Sequence, residues 1–150
     1  RKEVAQRLAG IPKNGLFAVI HKPWFDFEIF QKFKRGDFIP KPQVESVMLR
    51  FYKQANPLLP ESEKPRFQKF VTKIFGGGRR MRQNLRQEFN PSQINNLSQK
   101  FKLNLNSKPS DLSIEQWMSL YQCRQNYLGR HKFRVIPSDP PAGGERGNLL

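Results

Sequence analysis

With 150 residues and 37% apolar side chains, the chain is sized for one ordinary domain, or for one small domain and part of another. Its 27 lysines and arginines against 12 acids give a formal charge of +15 and a pI near 10.5, a field that suits polyanions, nucleic acid foremost, and not an enzyme of neutral metabolites. A lone Cys123 excludes an intramolecular disulfide, His21 and His131 are too widely spaced to indicate a zinc site, and no apolar run approaches the ~18 residues of a membrane span. A reducing, cytoplasmic setting without membrane contact is expected.

Residues 1–9, RKEVAQRLA, place Val4 and Leu8 four apart among good helix formers, which predicts a short helix or the last turns of a longer one, stopped by Gly10 and Pro12. The chain starts without methionine, and the expectation is that sequence upstream of Arg1 has been removed. LFAVIHKPWF is too short to classify by period, and Pro23 limits any helix in it. DFEIFQKFK alternates as a strand, with Phe27, Ile29 and Phe33 on one face and Asp26, Glu28, Lys32 and Lys34 on the other. VESVMLRFYK has two apolar faces, Val47, Leu49 and Phe51 against Val44, Met48 and Tyr52, which predicts a strand covered on both sides within a larger sheet. Two strands alone make no stable sheet, so partner strands are expected from missing sequence or from another chain.

From Ser62 the period becomes helical. Phe67, Phe70, Val71, Ile74 and Phe75 form one stripe, ended by the glycines at 76–78. A second helix is expected to carry Met81, Leu85 and Phe89. Asn90, Pro91 and Gln93 read as the cap, first-turn proline and capping-box glutamine of a third with Ile94, Leu97 and Phe101. Ser113 and Gln116 repeat that logic for a fourth, with Ile114, Trp117, Met118 and Tyr121 inward. The proline- and glycine-rich end, residues 131–150, is expected to be a disordered tail.

The positive charge sits in the first two thirds: residues 1–60 carry 11 basic and 5 acidic side chains, residues 61–109 carry 11 and 3, and residues 110–150 only 5 and 4. Its densest point is GGGRRMRQNLRQ, where Arg79, Arg82 and Arg86 fall at i, i+3 and i+7 of a helix, opposite Met81 and Leu85, with Arg80 beside them. Arginine forks match phosphate oxygens, and the other reading is a solvated basic face. The glycines ahead of them lack the lysine and hydroxyl of a nucleotide-phosphate loop and read as a helix terminator. Asp26, Glu28, Asp37 and Glu45 lie in strand or turn contexts with basic neighbours, and no nucleophile, metal or dinucleotide motif is present. Pro40 and Pro42 stiffen residues 38–44, which holds Phe38 beside Arg35 and Lys41. Phe38 is then either a platform for a nucleic-acid base or a plug in a core between sheet and helices.

FIPKPQVESVMLRF resembles the Phe-x-Pro-x-Pro-x-Val-x-Ser-x-x-Leu-x-hydrophobic segment of the ribosomal RNA adenine methyltransferases, both the Erm antibiotic-resistance enzymes and the dimethyladenosine transferases. RKEVAQRLAG resembles the helix before the last strands of their catalytic domain, KPRFQKFVTKIFGGGRRMRQNL the opening helices of their C-terminal domain, and IEQWMSLYQ its end, so the likeness covers roughly residues 1–130. HKPWF and KPQVES lean toward Erm. The resemblance implies the end of a class I, Rossmann-like methyltransferase sheet with antiparallel last strands, followed by a small all-α domain. It divides the chain into residues 1–56 of a catalytic domain, 57–130 of a helical RNA-binding domain, and the tail. It implies methyl transfer from S-adenosylmethionine to an adenine amine of large-subunit ribosomal RNA, by a monomeric full-length enzyme. Phe38 would stack on the flipped adenine. Arg7, Lys13 and Lys41 fall near RNA-contacting family positions, and Arg35, Arg79, Arg80, Arg82 and Arg86 complete the expected RNA surface. Asn14 stands where the family is often more basic. The glycine-rich cofactor loop, the acidic ribose ligand and the Asn-hydrophobic-Pro-aromatic motif are absent, so this chain alone is expected to be inactive. The alternatives are a small-subunit dimethyladenosine transferase and a non-catalytic RNA-binding module.

Overall fold

The computed structural model describes residues 1–129; the expected tail, and His131 with it, lie outside the described residues. The elements follow in the order α1 (Lys2–Ala9), α2 (Leu16–His21), β1 (Phe25–Phe33), β2 (Ser46–Lys53), α3 (Lys64–Phe75), α4 (Met81–Asn84), α5 (Pro91–Lys100) and α6 (Ile114–Tyr127). Short 3-10 turns sit at Arg35–Asp37, Glu61–Glu63, Leu85–Gln87 and Pro109–Asp111.

Helix α1 ends where expected, on Gly10 in the left-handed conformation with φ 74°. Its buried face carries Ala5 and Ala9, while Val4 is 45% exposed. Small side chains let α1 lie close on β1, β2 and α2, and the larger Val4 is left outside. The run LFAVIHKPWF resolves into α2, with Ala18, Val19 and Ile20 buried, and a turn through buried Pro23 and Trp24 into β1, closed by the Trp24 amide donating to the His21 carbonyl at 3.0 Å.

β1 and β2 pair antiparallel from Phe25 opposite Lys53 to Phe33 opposite Ser46. A register shift between Ile29 and Gln31 inserts one extra residue, a bulge at Phe30. Paired residues share a face, so Phe27 and Ile29 stand with Phe51 and Leu49, followed by Lys32 with Val47. The bulge therefore carries Phe33 to the opposite face, correcting the expected grouping of Phe27, Ile29 and Phe33. On that face Tyr52 donates to Glu28 Oε2 at 2.6 Å, and the Arg50 guanidinium pairs with the same carboxylate at 3.0 Å. Arg50 also lies 4.6 and 4.7 Å from the ring centres of Phe30 and Tyr52. The expectation of a strand covered on both sides is not met by the described residues: Phe51 is 63% exposed and Met48 and Phe30 are each 43% exposed.

The helical part follows the periodicity closely. Phe67, Phe70, Val71 and Ile74 of α3 are buried, and Met81, Leu85 and Phe89 form the expected stripe. Their helix is shorter than expected, one turn of α4 tightened into a 3-10 turn at Leu85. Asn90 Oδ1 accepts from the Gln93 amide at 2.8 Å, and Gln93 Oε1 accepts from the Asn90 amide at 3.0 Å. The Ser113 and Gln116 pair makes the same reciprocal bonds at 3.2 and 2.9 Å. One hydrophobic cluster gathers Val19, Ile20 and Trp24 with the inward residues of α3 to α6 around fully buried Trp117 and Tyr121.

Candidate nucleic-acid interface

Three groups of basic side chains emerge, each placed by a different local device. The first surrounds Phe38. Beyond β1 the chain makes the Arg35–Asp37 turn, in which Asp37 Oδ2 accepts from the Lys34 amide at 2.8 Å, and Phe38 leaves it fully extended. The Phe38 ring is 39% exposed and meets the Phe33 ring edge-on at 5.8 Å. Among the described residues it lies outside the hydrophobic core cluster, and the bulge in β1 sets Phe33 beside it at the sheet's end. Arg35 on the turn and Lys41 beyond it are both exposed, with Lys41 Cε 4.0 Å from where a Cβ on Gly36 would stand. The lip is tied to α1 by the Lys2 amide, which donates to the Glu45 carbonyl at 3.0 Å, and by the Lys2–Glu45 ion pair at 2.8 Å. The Lys2 bond holds the Glu45 carboxyl below the ordinary carboxylate range.

The second group is an open notch at the C-terminal end of α1, lined by Arg7, Lys13, Glu3 and Ser110. Arg7 lies five residues beyond Lys2, about 7.5 Å along the helix axis from the lip's anchor. Lys13 pairs with Asp111 Oδ1 at 2.6 Å. Asn14, the position less basic than the resemblance leads one to expect, is a brace: its Nδ2 donates to the Leu112 carbonyl at 3.2 Å and its Oδ1 accepts from Lys22 Nζ at 2.6 Å. Burial pushes the Lys22 ammonium toward deprotonation.

The third group is the arginine cluster. All four arginines are exposed, but they do not share one helical face. Arg79 stands in the bend before α4 and Arg80 is its extended N-cap, because the chain is still unwinding from the glycine turn; only Arg82 and Arg86 lie on the α4 and 3-10 segment. The glycines leave no phosphate cradle. A Cβ on Gly77 would come within 2.5 Å of Gln87 Cγ and 3.2 Å of Asn84 Cα, so that space is filled by the chain itself. Fully buried Asn84, which no sequence pattern singled out, secures the turn by donating from Nδ2 to the Ile74 and Gly78 carbonyls at 2.6 and 2.8 Å. Arg79 and Arg80 share an open notch with Lys108 and Ser110, two residues that sequence reasoning also missed. Their only signal was the turn-forming string Lys-Pro-Ser-Asp ahead of a capped helix.

The described residues do not fit S-adenosylmethionine: there is no parallel strand pair, and no glycine loop leads from a strand into a helix. No methyl-transfer step is therefore derived from them. Nor do they contain a group of three or more metal-ligating side chains, or a helix long and apolar enough to cross a membrane.

Three carboxyls are held below their ordinary range. Asp111 is held by the Lys13 ammonium and the Lys108 amide, Glu45 by Lys2, and Glu28 by the Tyr52 hydroxyl and then Arg50. A depressed folded-state pKa contributes stability that is complete above the unfolded value, near 4, and is lost as pH falls through the folded one. The melting temperature is thus expected to decline on acidification below about pH 4, and less steeply in Asp111→Asn than in the parent. Equal slopes in an acid series of thermal melts would show that the Lys13–Asp111 pair does not contribute.

A model of the ribosomal RNA adenine dimethylase family matches residues 1–126. The mycinamicin-resistance protein MyrB of Micromonospora griseorubida is 25% identical over 121 residues, which are 80% of this chain and 39% of that protein. Ribosomal RNA small subunit methyltransferase A of Trichormus variabilis is 29% identical over 124 residues, 80% of this chain and 45% of that protein. This chain thus spans less than half the length of these relatives. In fold it is similar to the crystal structure of the 23S rRNA methyltransferase ErmE, with a TM-score of 0.70 at 24% identity, over 83% of this chain and 51% of that one. An extended aromatic lip, an antiparallel strand pair and a capped helical cluster, matched by that family model from the first residue to the last helix, place the chain: it belongs to the ribosomal RNA adenine dimethylase family.

Proposed function

We propose that this chain is the RNA-engaging C-terminal part of an S-adenosylmethionine-dependent adenine N6-methyltransferase that acts on large-subunit ribosomal RNA and confers macrolide-type resistance. The observation that carries the reading is Phe38, an exposed ring on a stiff lip with Arg35 and Lys41 beside it. A flipped adenine needs an aromatic face outside the core and cations for the flanking phosphates, and the lip supplies both. The named function of MyrB and the fold of ErmE support the large-subunit assignment. The small-subunit methyltransferase of Trichormus variabilis, similar at comparable identity, supports the second reading, a small-subunit dimethyladenosine transferase.

In this proposal residues 1–56 complete a class I methyltransferase sheet as its last antiparallel strands. The exposed Phe30, Met48 and Phe51 support it, since strands left open on both faces need a further layer. Residues 57–130 are the helical RNA-binding unit, and the enzyme works as a monomer in the cytoplasm. The cofactor is held by sequence outside this chain, so the chain's own residues bind the RNA backbone and position the base.

The test is methyl transfer from labelled S-adenosylmethionine to protein-free large- and small-subunit ribosomal RNA, by this chain and by the protein extended upstream. Activity only in the extended protein, and only on large-subunit RNA, is expected. Label in the small-subunit RNA would favour the second reading, and no transfer by either protein with RNA binding intact would favour a non-catalytic module. A binding prediction accompanies it: reversing Arg79, Arg82 and Arg86 to glutamate is expected to weaken RNA binding and to flatten the slope of log affinity against log salt by about 2. An unchanged slope would make these arginines a solvated face.

A further inference from the structure

We propose that the segment 104–111 joins the two basic notches into one continuous seat for an RNA phosphodiester backbone, with Lys108 as a phosphate contact and Asp111 as the acid that restrains it. This rests on the RNA-binding reading above and adds to it a path, a contact residue and a built-in limit on affinity.

The path follows from what the two notches share. Arg7 and Lys13 line one, Arg79, Arg80 and Lys108 line the other, and Ser110 lines both. The segment carrying Lys108 and Ser110 is fastened on each side. Toward α4, the Met81 and Arg82 amides donate to the Ser107 and Leu105 carbonyls at 2.9 and 3.0 Å, and Arg80 Nη1 donates to the Asn106 carbonyl at 3.1 Å. Toward α1, the Asn14 amide donates to the Ser110 carbonyl at 3.0 Å, and Lys13 reaches Asp111. Between these ends the Pro109–Asp111 turn is closed by the Lys108 amide donating to Asp111 Oδ2 at 2.9 Å. Residues far apart in sequence are thus fixed in one row before any ligand arrives, which spares part of the ordering cost of binding.

The chemistry of the row selects an extended polyanion. The first amides of α4 are already bonded to carbonyls, so no cluster of free amides awaits a compact anion. What the row offers instead is long cationic side chains over open notches. Among the described residues Arg7, Arg79 and Lys108 form no salt bridge, whereas Lys13 is paired with Asp111, and Glu3 is the second acid along the path. The Lys13–Asp111 pair is the weak point of the row, because a phosphate reaching Lys13 must compete with a carboxylate 2.6 Å away.

The experiment is anisotropy of a fluorescein-labelled oligouridine with the full 150-residue chain across a salt series. Uridine lacks the adenine amine, and the salt slope reads the backbone contacts, because stacking releases no counterions. Arg79→Gln combined with Lys108→Gln is expected to make the log–log slope shallower by about 1.4, two contacts at about 0.7 each for a single strand. Lys53→Gln, on the far end of β2, serves as the control and should leave the slope unchanged. Asp111→Asn keeps an oxygen to accept from the Lys108 amide while releasing Lys13, and is expected to tighten binding and steepen the slope by up to about 0.7. Thermal melts verify that each variant folds. Parent binding with a double variant indistinguishable from the control would overturn the seat and leave the RNA reading standing. Unchanged or weaker binding by Asp111→Asn would overturn the restraint and the continuity with it. A parent chain that shows no salt-dependent binding would remove the RNA reading and the seat together.

Discussion

Trp117→Ala is expected to destabilise the chain by about 3–5 kcal/mol. The indole is fully buried, lies nearly parallel to the Phe75 ring at 5.4 Å and 13°, and meets Phe70 edge-on at 6.5 Å. Removing it opens a cavity between the end of α3 and the first turn of α6 that neither helix can close, since α6 is also held by Tyr121 against Phe67 and Phe70. At about 2–4 °C per kcal/mol for a chain of this size, the melting temperature should fall by roughly 6–20 °C. Trp117→Phe keeps most of the buried surface and should lose less than half as much. A loss of under about 1 kcal/mol for the alanine variant would mean that the helices repack around the gap. The consequence reaches the interface, because Phe75 is the last residue of α3 and also lines the notch of Arg79, Arg80 and Lys108. Residual RNA binding in Trp117→Ala should therefore weaken even at temperatures where the chain remains folded.

What could be read from sequence divides by the range of the interaction that decides it. The capping boxes at Asn90 and Ser113 were legible because all of their atoms lie within four consecutive residues. The α3 stripe was legible because its period needs no knowledge of its partner. The bulge at Phe30 was not, since register depends on both strands at once, and with it went the face of Phe33 and the support under Phe38. The buried face of α1 could not be read from hydrophobicity alone, since Val4 is the more hydrophobic residue while Ala5 and Ala9 are the ones that permit close approach. The arginine spacing assumed a helix that begins two residues too early. Lys108 and Asp111 stayed hidden because they matter only beside Arg79 and Lys13, and the contacts that bring them there run through Asn14 and the α4 amides. The family's phenylalanine lip was the exception. Its role was carried by a resemblance, and the residues alone left Phe38 between platform and plug.

Phe38→Ala, introduced into the upstream-extended protein, is expected to lower methyl-transfer turnover by about 5- to 150-fold, equivalent to losing about 1–3 kcal/mol of base stacking, while RNA affinity changes much less. The separation follows from the placement of the charges. Arg7, Lys13, Arg79 and Lys108 line notches that do not include Phe38, so in the proposed seat they would hold the RNA whether or not one adenine is stacked. In the proposed role the ring would act on the base alone, once that base has left the helix. The substitution should leave folding intact, because Phe38 is partly exposed and its ring neighbour among the described residues is Phe33, outside the main core. Phe38→Tyr and Phe38→Trp retain an aromatic face and should recover most of the rate, whereas Phe38→Leu matches the hydrophobicity without the face and should not. Phe33→Ala supplies a graded comparison: it removes the support and keeps the platform, so its turnover should fall between the parent and Phe38→Ala. Single-turnover methylation at the parental rate in Phe38→Ala would end the stacking role and leave the lip as a spacer between the sheet and the RNA.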